Sequence, residues 1–340
     1  MTIRIAVDAM GGDHGPGVIV AGAVAGARHL GAQLLLVGTK TEVESALGAV
    51  KTNDVTVEVV ESTEVISMSD HPAQAVRRKP KSSINVALRL ISEGRADAMV
   101  SAGNSGAVMA GALMVLGRIP GIERPAIASY IPTAKGKTLL LDLGAVVDPK
   151  PNNLVQFADM GHVYAERVMD KAHPTIGLLS NGEEPTKGNA LVQAVHPLLA
   201  ARTDLNFIGN VEGKDVTTGK VDIVVTDGFT GNVALKTAEG VAQFLVEILR
   251  SELTATLPRK LAAVVLRPAF RALRSKLDYA EIGGAPLLGV NGTVIIAHGR
   301  SSERAIETAL AAAVKAAESH LPEGISTRIA SLKEAASAPT

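Results

Sequence analysis

The sequence predicts an α/β protein with a mostly parallel sheet and helices on both of its faces. Short aliphatic runs alternate with longer helical patterns, and most of the short runs are continuously apolar. Such alternation is typical of parallel strands joined by crossover helices, and continuous apolar runs are typical of strands covered on both faces. The length of 340 residues, 46% of them hydrophobic, suffices for a large core without disulfides or metals.

The elements follow one another in regular order. Strands are predicted at Ile3–Asp8, Leu34–Gly38, Val55–Val60, Ala98–Ser101, Ala126–Ile131, Thr138–Leu143, Thr175–Leu179, Asn206–Gly209 and Val221–Thr226. Helices are predicted at Val18–Leu30, Thr41–Val50, Ser83–Glu93, Ser105–Leu116, Asn153–Met169, Lys187–Ala201, Gly231–Leu257 and Ser302–Ser319. Ser82 or Ser83 can cap one helix, and Gly94 suits its end. A hairpin with a two-residue Asn291-Gly292 turn is predicted near the end of the chain.

We expect one large unit over residues 1–333 and a flexible tail at 334–340. The segment from Ala98 to Gly117 carries no charge. Because it contains polar residues and a glycine turn, we predict a buried strand, a turn and a buried helix rather than a membrane span. The first residues lack a charged region followed by a long apolar run, so we expect no signal peptide and a cytoplasmic protein.

Composition disfavours several classes of function. The 34 basic and 34 acidic residues give a formal net charge of zero, which argues against a globally basic nucleic-acid binder. The absence of cysteine excludes thiolate nucleophiles, iron–sulfur clusters and cysteine-ligated zinc. Five Phe, three Tyr and no Trp leave few side chains for stacking on nucleic-acid bases. We therefore expect no nucleic-acid partner.

A basic helical excursion at about 245–280 departs from the α/β alternation. From Arg250 to Lys276 one acid stands against seven bases, with apolar residues near helical spacing. Pro258 and Pro268 are expected to break this helix into pieces. The segment is either a core-facing or dimer-facing helix pair, or a docking surface for anionic lipid or an acidic partner.

Four glycine-rich turns follow predicted strands and carry Asn, Ser, Thr or His. They lie at 8–16, 101–107, 226–232 and 298–302. In a parallel sheet such turns collect at the carboxyl edge, where ligands bind. Their backbone N–H groups and the following helix starts can bind an anion, and glycine lets the anion approach closely. The turns therefore predict a phosphate or acyl-phosphate site.

Two further loops add polar side chains to this edge. Asp142 ends a strand, and the loop from Asn181 to Lys187 follows another strand and brings a cation near a helix start, as a phosphate site requires. The alternative for Lys187 is an ordinary surface lysine. Asp8, Asp142 and Asp227 are equally compatible with helix capping or loop bracing.

Motifs of other chemistries are missing. The sequence has no dinucleotide-binding glycine fingerprint, no P-loop, no G-x-S-x-G nucleophile and no H-E-x-x-H zinc site. The histidines do not cluster, and only His14 and His298 lie in the glycine turns, where they are candidate ligand contacts.

Motifs spread along almost the whole chain carry a family resemblance. They are VDAMGGDHGP at 7–16, SAGNSGA at 101–107, LGRIPGIERPA at 116–126, LDLGA at 141–145, FADMG at 157–161, GLLSNGEEPTKGN at 177–189, FIGNVEG at 207–213, VDIVVTDGFTGNVALKTAEG at 221–240, GGAPLLGVNG at 283–292 and AHGRSS at 297–302. On these motifs the chain resembles PlsX, the bacterial acyl-[acyl-carrier-protein]:phosphate acyltransferase family. The family usually continues LDxGA with Asn, whereas this chain has Val146, so a ligand contact made by that Asn would be lost.

The resemblance implies a Rossmann-like α/β fold akin to phosphotransacetylases and to isocitrate and isopropylmalate dehydrogenases, in a homodimer. It implies the reaction acyl-ACP + phosphate ⇌ acyl phosphate + ACP, where ACP is the acyl carrier protein. The acyl phosphate would pass to a membrane glycerol-3-phosphate acyltransferase in phospholipid synthesis. No metal and no organic cofactor are implied.

The residue chemistry fits such a reaction, because the phosphate dianion is itself a nucleophile and requires positioning, charge compensation and oxyanion donors. As catalytic residues we predict Lys187, Asn232, Asp227 and Asn104. As phosphate- or substrate-binding residues we predict Asp8, Gly11, Gly12, Asp13, His14, Gly103, Ser105, Gly106, Asp142, Asn181, Gly228, Thr230, Gly231, Lys236 and His298.

We expect direct attack of phosphate on the thioester without an acyl-enzyme. The alternatives are a phosphotransacetylase that uses acyl-CoA, a non-catalytic anion-binding scaffold, and a dehydrogenase of the isopropylmalate type, for which the dinucleotide and Mg²⁺ motifs are missing. The basic excursion could meet the acidic ACP or the membrane. The apolar residues around Pro258 favour the membrane.

Overall fold

The computed structural model describes residues 2–134, 136–277 and 283–337, and the side chains of all of these except 269, 271–277 and 336–337. The strands are β1 Arg4–Asp8, β2 Gln33–Gly38, β3 Val57–Glu61, β4 Ala98–Ser101, β5 Ala126–Thr133, β6 Gly136–Leu141, β7 Thr175–Ser180, β8 Asn206–Glu212, β9 Ile223–Val225, β10 Ala285–Leu288 and β11 Thr293–Ile296. The helices are α1 Pro16–Leu30, α2 Lys40–Gly48, α3 Pro72–Arg78, α4 Ser83–Ser92, α5 Ser105–Val115, α6 Pro151–Val168, α7 Ala190–Ala200, α8 Gly228–Thr254, α9 Leu257–Leu277, α10 Glu303–Glu318 and α11 Leu321–Ser337. A 3₁₀ turn lies at Asp215–Thr217.

The described strands form one 11-stranded sheet in the order β3-β2-β1-β4-β11-β10-β5-β6-β9-β7-β8. Seven neighbouring pairs are parallel, and the three antiparallel pairs are β11–β10, β10–β5 and β5–β6. The predicted fold class is therefore confirmed. Three reversals in the middle make the strands of the two outer parts run in opposite directions.

This reversal changes where the functional turns meet. Ser101 and Ile296, the last residues of β4 and β11, pair with each other, and Ile296 pairs with Ala285 of β10. From the other part of the sheet, Leu141 and Val225 end β6 and β9 as paired residues. The expectation of one carboxyl edge is therefore wrong: two groups of carboxyl ends face each other across the middle of the sheet.

Alternating side chains of the strands build separate cores on the two faces. In the β1 part of the sheet, α1, α2 and α10 cover the face of Ile5 and Val7, while α3, α4 and α5 cover the face of Ala6. In the β6 part, α6, α7 and α11 cover Leu139 and Leu141, and a smaller cluster with Leu140 lies beside the 3₁₀ turn.

Most predicted elements are present within a few residues of their predicted bounds. The Ser82 side chain caps α4, and Gly94 follows that helix with a φ of 68°. The segment from 98 to 117 forms β4 and α5, as predicted. In the part of the chain that the structure describes, no helix is both long enough and apolar enough to cross a bilayer.

Some element boundaries need correction. The hairpin of β10 and β11 is present, but its loop has four residues, 289–292, because Val290 forms a bridge with Arg118. Pro268 lies inside α9 and does not break it, so the break before Pro258 is the one between α8 and α9. Helix α7 begins at Ala190, which leaves Lys187 ahead of the helix.

Two helices were not predicted. Helix α3 has seven residues, too few for a clear periodic pattern. Helix α11 contains Gly324, and it is held by packing of Ile325 and Ile329 into the core beside α6. It runs four residues beyond Lys333, past the predicted start of the flexible tail at 334.

Helices α8 and α9 form a hairpin, which we call the projecting hairpin (residues 228–277). In α8 the only buried residues are Gly228 and Gly231, both in its first turn. The two helices pack on each other, and beyond α8's start on β6 the described residues show few contacts with the body. Large apolar side chains are exposed along it, at Val233, Val241, Phe244, Leu245, Ile248, Leu257, Leu261, Val264, Val265 and Leu266.

Candidate active site

A cleft lies where the two groups of carboxyl ends face each other. It encloses a cavity of about 320 Å³. The predicted site residues that line it are Ser105, Gly106, Asn232, Lys236 and His298. Apolar side chains form another part of its wall, namely Met109, Ile127, Leu143, Leu235 and Ile296. The cavity therefore offers polar groups and an apolar surface together.

A buried carboxylate holds the first glycine turn from behind. Asp8 is 1% exposed, and it accepts hydrogen bonds from the Ser101 hydroxyl at 2.6 Å and the Met10 N–H at 3.2 Å. A methyl on Gly11 would come within 2.6 Å of the Gly103 nitrogen, so glycine lets the first two turns pack together. Burial raises the pKa of Asp8, and its hydrogen bonds act against the rise. We therefore revise the role of Asp8 from substrate binding to loop positioning.

The first turn also contacts the fourth. The Asp13 N–H donates to the Gly299 carbonyl at 2.7 Å, and Gly12 between the turns has a φ of 88°. The side chains of Asp13 and His14 are exposed and do not line the cavity. Their predicted contacts with phosphate stay predictions. The turns at 8–14, 101–107 and 298–302 thus form one packed group, the first turn cluster.

Both polar atoms of the Asn104 side chain form hydrogen bonds within the protein. Its oxygen caps α5 by accepting from the Ala107 N–H at 3.1 Å. Its amide nitrogen lies 3.2–3.3 Å from the carbonyl oxygens of Ser67, Met68 and Asp70. The predicted oxyanion donor is therefore an anchor that fixes the 67–70 loop against the start of α5.

This capping leaves the start of α5 open for a ligand. Ser105 and Gly106 are its first two residues, and both line the cavity. Their backbone N–H groups have no hydrogen-bond partner within the described residues. Two free N–H groups at a helix N-terminus, beside a serine hydroxyl, form an arrangement that binds oxyanions.

A second buried carboxylate organises the opposite wall. Asp142 is fully buried and accepts backbone hydrogen bonds from Ile127, Leu143, Ala145 and Val146 at 2.6–3.1 Å. Burial raises the pKa of Asp142, and these four N–H groups act against the rise. Its role, too, is loop bracing rather than ligand contact.

The third glycine turn packs tightly on this braced loop. The Gly228 N–H donates to the Val146 carbonyl at 2.9 Å, and a methyl on Gly231 would overlap the carbonyl oxygen of Asp142. Asp227 caps α8 by accepting from the Thr230 N–H at 2.8 Å. The Asp227 side chain and the Thr230 backbone thus hydrogen-bond to each other, and the missing side chains of Gly228 and Gly231 allow the close packing. We call the loops at 142–146 and 226–232 the second turn cluster.

At position 146 only main-chain atoms contribute hydrogen bonds to the second turn cluster. The Val146 N–H donates to Asp142 at 2.6 Å and its carbonyl accepts from Gly228, while its side chain packs against the hydrophobic core. Any residue except proline supplies the same backbone bonds. The departure from the family's usual Asn therefore leaves the second turn cluster intact.

One face of α8 supplies polar groups to the cavity. Asn232, Leu235, Lys236 and Glu239 line it at helical spacing. Lys236 forms an ion pair with Glu239 at 2.8 Å. The cation therefore carries its own counter-ion, and an incoming anion competes with Glu239 for it.

His298 presents a defined tautomer beside these groups. Its Nδ1 accepts the Arg300 N–H at 3.1 Å, so in the neutral ring the proton lies on Nε2. Burial lowers the pKa of His298, and nearby Lys236 lowers it further. His298 is therefore a neutral hydrogen-bond donor at neutral pH.

Lys187 and Asn181 lie on the loop between β7 and α7 and do not line the cavity. The Asn181 side chain accepts the Gly188 N–H at 2.9 Å and so shapes its own loop, whereas Lys187 is exposed. Because β7 and β9 are parallel neighbours, this loop opens at the same end of the sheet as Asp227. The catalytic role of Lys187 stays a prediction.

Within residues 2–134, 136–277 and 283–337, one cluster of three carboxylates has oxygens within 4.8 Å of one another, close enough to be considered for a metal ion. It consists of Glu183, Glu212 and Asp215. None of them lines the cavity, and Lys214 and Lys220 form ion pairs with Glu212 and Asp215. This group therefore belongs to the surface around β8 rather than to the cleft.

Sequence reasoning missed Glu239 and the apolar wall. Glu239 lies seven residues after Asn232, so helical spacing from the third turn would have found it. Ile127 and Ile296 come from distant strands that only the sheet order brings together, and no local pattern signals their role.

Known proteins of similar sequence and fold identify the family of this chain. The sequence profile of a family described as "Fatty acid synthesis protein" matches residues 3–323. A phosphate acyltransferase of Anaeromyxobacter sp. (strain K) is 50% identical over 327 residues, which cover 96% of this chain and 90% of that protein. One of Desulfitobacterium hafniense is 51% identical over 326 residues, covering 95% and 96%.

The fold is also that of a solved phosphotransacetylase from Streptococcus pyogenes, with a TM-score of 0.64 and 16% identity over 93% of this chain and 94% of that one. At this identity the likeness shows the fold alone, and it confirms the predicted fold, which phosphotransacetylases share. With half of its residues identical to those of phosphate acyltransferases over nearly its full length, the chain belongs to the fatty acid synthesis protein family, the PlsX family of phosphate acyltransferases.

Proposed function

We propose that this protein transfers a long-chain fatty acyl group from acyl carrier protein to inorganic phosphate, producing acyl phosphate for phospholipid synthesis. The observation that carries the proposal is the open start of α5, where the free N–H groups of Ser105 and Gly106 face a cavity shared with Asn232 and Lys236. Family membership supports acyl transfer to phosphate.

Phosphate binds at the N–H groups of Ser105 and Gly106, because the start of a helix carries partial positive charge. Lys236 turns from Glu239 towards the anion and offsets part of its charge. Lys187 approaches from the neighbouring loop when the donor is bound. The phosphate thus sits with one oxygen free to attack.

The acyl chain lies along the apolar wall, with the thioester carbonyl near Asn232 and His298. A phosphate oxygen attacks the carbonyl carbon, and the Asn232 amide and the His298 Nε2–H donate to the developing oxyanion. The intermediate collapses by breaking the carbon–sulfur bond, so the carrier leaves as a thiolate that takes a proton from water. No protein nucleophile is used.

The test incubates the purified protein with phosphate and palmitoyl-ACP and traps acyl phosphate with hydroxylamine. We expect hydroxamate only when phosphate is present. Preferred use of palmitoyl-CoA would instead identify a phosphotransacetylase, and phosphate binding without any hydroxamate would identify a scaffold. Acyl-enzyme formed from acyl-ACP alone would refute direct attack.

We also propose two roles for the projecting hairpin. Val241, Phe244, Leu245 and Ile248 lie at helical spacing along α8 and are 43–58% exposed, as expected for a face that pairs with a second copy in a homodimer. Leu257, Leu261, Val264 and Val265 are 64–79% exposed at the start of α9, beside Arg259 and Lys260. Apolar residues beside bases suit an anionic membrane surface.

Membrane contact would place acyl phosphate near a membrane glycerol-3-phosphate acyltransferase.

Two variants separate the two roles of the hairpin. We expect Leu261→Glu/Val265→Glu to abolish flotation with anionic vesicles while the protein stays dimeric in sedimentation. Phe244→Glu/Ile248→Glu should dissociate the dimer. Flotation unchanged in the first variant, or a dimer unchanged in the second, would contradict the respective role.

A further inference from the structure

Residues 64–81, which we call the rim segment, are fixed beside the mouth of the cavity. Asn104, the cap of α5, holds the carbonyl oxygens of Ser67, Met68 and Asp70. On the other side, the terminal methyl of Met68 lies 3.0 Å from a Cβ built on Gly299 in the fourth turn. The rim segment therefore bridges two turns of the first turn cluster.

The end of the rim segment carries three exposed bases, two of them in the last turn of α3. Arg77, Arg78 and Lys81 are exposed, and the part of the chain that the structure describes offers none of them an ion pair. Lys79 differs, because it binds the Asp70 carboxylate at 2.6 Å and the Val65 carbonyl at 2.9 Å and so ties the segment back on itself. Three bases without a side-chain ion pair in these residues thus lie within five consecutive positions, and the Glu64 carboxylate of the same segment accepts the Lys81 N–H at 2.7 Å.

Two large apolar side chains of the same segment are exposed. Val65 is 39% exposed and Met68 is 51% exposed. Exposed apolar side chains and exposed bases on one segment are typical of a surface that receives a folded, acidic protein. The tip of the projecting hairpin is different, because four large apolar residues dominate it and suit lipid.

We propose that the rim segment docks the acidic face of the acyl carrier protein and so places the thioester over the cavity. The inference rests on the proposed function and locates its protein partner. Arg77, Arg78 and Lys81 attract the carrier, while Val65 and Met68 supply apolar contact next to the turns that line the cleft. The carrier thus approaches over the first turn cluster, and the projecting hairpin stays available to the membrane.

The test compares Arg77→Glu/Arg78→Glu with a matched charge reversal, Lys51→Glu/Arg124→Glu, at exposed positions outside the rim segment and the cavity lining. For the rim variant we expect carrier affinity to fall tenfold or more at low salt, with a similar rise in KM for acyl-ACP. Its kcat/KM with octanoyl-pantetheine, a donor without carrier, should stay within twofold of wild type. The matched control should change neither quantity.

Unchanged carrier affinity in the rim variant would overturn the proposal. Equal losses with acyl-ACP and octanoyl-pantetheine would also overturn it, because they would show that the arginines support the fold or the chemistry. Carrier binding is measured with unacylated carrier and requires no reaction. A wild-type protein that makes no acyl phosphate from either donor would refute the proposed function, while the binding measurement would still decide the docking site.

Discussion

The two ends of helix α8 belong to different parts of the molecule. In its first turn, Gly228 and Gly231 are buried against the loop that Asp142 braces. Three turns later, a methyl added to Gly240 would meet no atom within 4 Å, and Phe244 beyond it is 58% exposed. One helix therefore begins as a wall of the cleft and ends as a surface that the described residues leave exposed.

Packing requires glycine at one of these two positions in α8 and not at the other. At Gly231 the absence of a side chain is a packing requirement, because backbone atoms occupy the space. At Gly240 nothing in the described residues requires it. Packing constraint on α8 thus comes from the chain itself in the cleft, whereas the described residues supply no such constraint at Gly240.

The largest effect is expected at the cleft end of α8. In Gly231→Ala the new methyl would overlap the carbonyl oxygen of Asp142. Because this oxygen belongs to the backbone, it can move only if the whole loop moves. We expect unfolding free energy to fall by about 1–3 kcal/mol from overpacking. A shift of about 1 Å in Asn232 should reduce kcat/KM about 100-fold. Chemical denaturation measures the unfolding free energy, and steady-state kinetics measure kcat/KM. If both equalled the wild-type values, the loop at Asp142 would adjust freely to the methyl.

Asn232→Ala is expected to act on chemistry alone. The Asn232 side chain is exposed to the cavity, and its loss removes a donor without removing packing. We expect kcat/KM to fall about tenfold or more with unchanged stability. Thr237→Ala, at an exposed position of α8 outside the cavity lining, is the control and should keep wild-type turnover. Equal rates in the two variants would remove Asn232 from the site.

At the hairpin end, Gly240→Ala should stabilise the helix. Alanine replaces glycine in an open helical position, which favours the helix by about 0.5–1 kcal/mol. Amide hydrogen exchange in the projecting hairpin should slow about two- to fivefold, with kcat/KM unchanged. Faster exchange would show that another molecule covers Gly240 in the functional assembly.

We expect the smallest effects on stability when single ion pairs are removed. A hydrogen bond from Arg202 lowers the pKa of Asp204 to about 2, and Arg328 contributes further. Because this pKa is below the unfolded value, the pair stabilises the fold above pH 3.8 and loses its effect as pH falls towards 2. Asp204→Asn should therefore lower the urea midpoint at pH 7, and the gap to wild type should close near pH 2.

On the projecting hairpin, Glu252→Gln removes the exposed pair with Arg259 and is the matched comparison. Exposed ion pairs contribute about 0–1 kcal/mol, so its urea midpoint should stay near that of wild type at every pH. A larger loss for Glu252→Gln than for Asp204→Asn would contradict the distinction between body and hairpin.

Local sequence patterns located the functional turns but not the roles within them. The turns at 101–107 and 226–232 were found because glycine and short polar residues follow apolar runs. Whether Asn104 points at a ligand or holds the 67–70 loop depends on a segment more than 30 residues away. Asp8 depends likewise on the distant Ser101, whereas Asp142 is braced mainly by the nearby N–H groups of Leu143, Ala145 and Val146.

By itself, the sequence determined the fold class, most strands and helices, the glycine turns and the basic apolar excursion, because each of these depends on neighbours within a few residues. Only the tertiary structure decided that three antiparallel pairings reverse half of the sheet and bring two sets of turns face to face. Strand order is set by packing between distant segments, and a local pattern carries no record of which distant strand will be the neighbour.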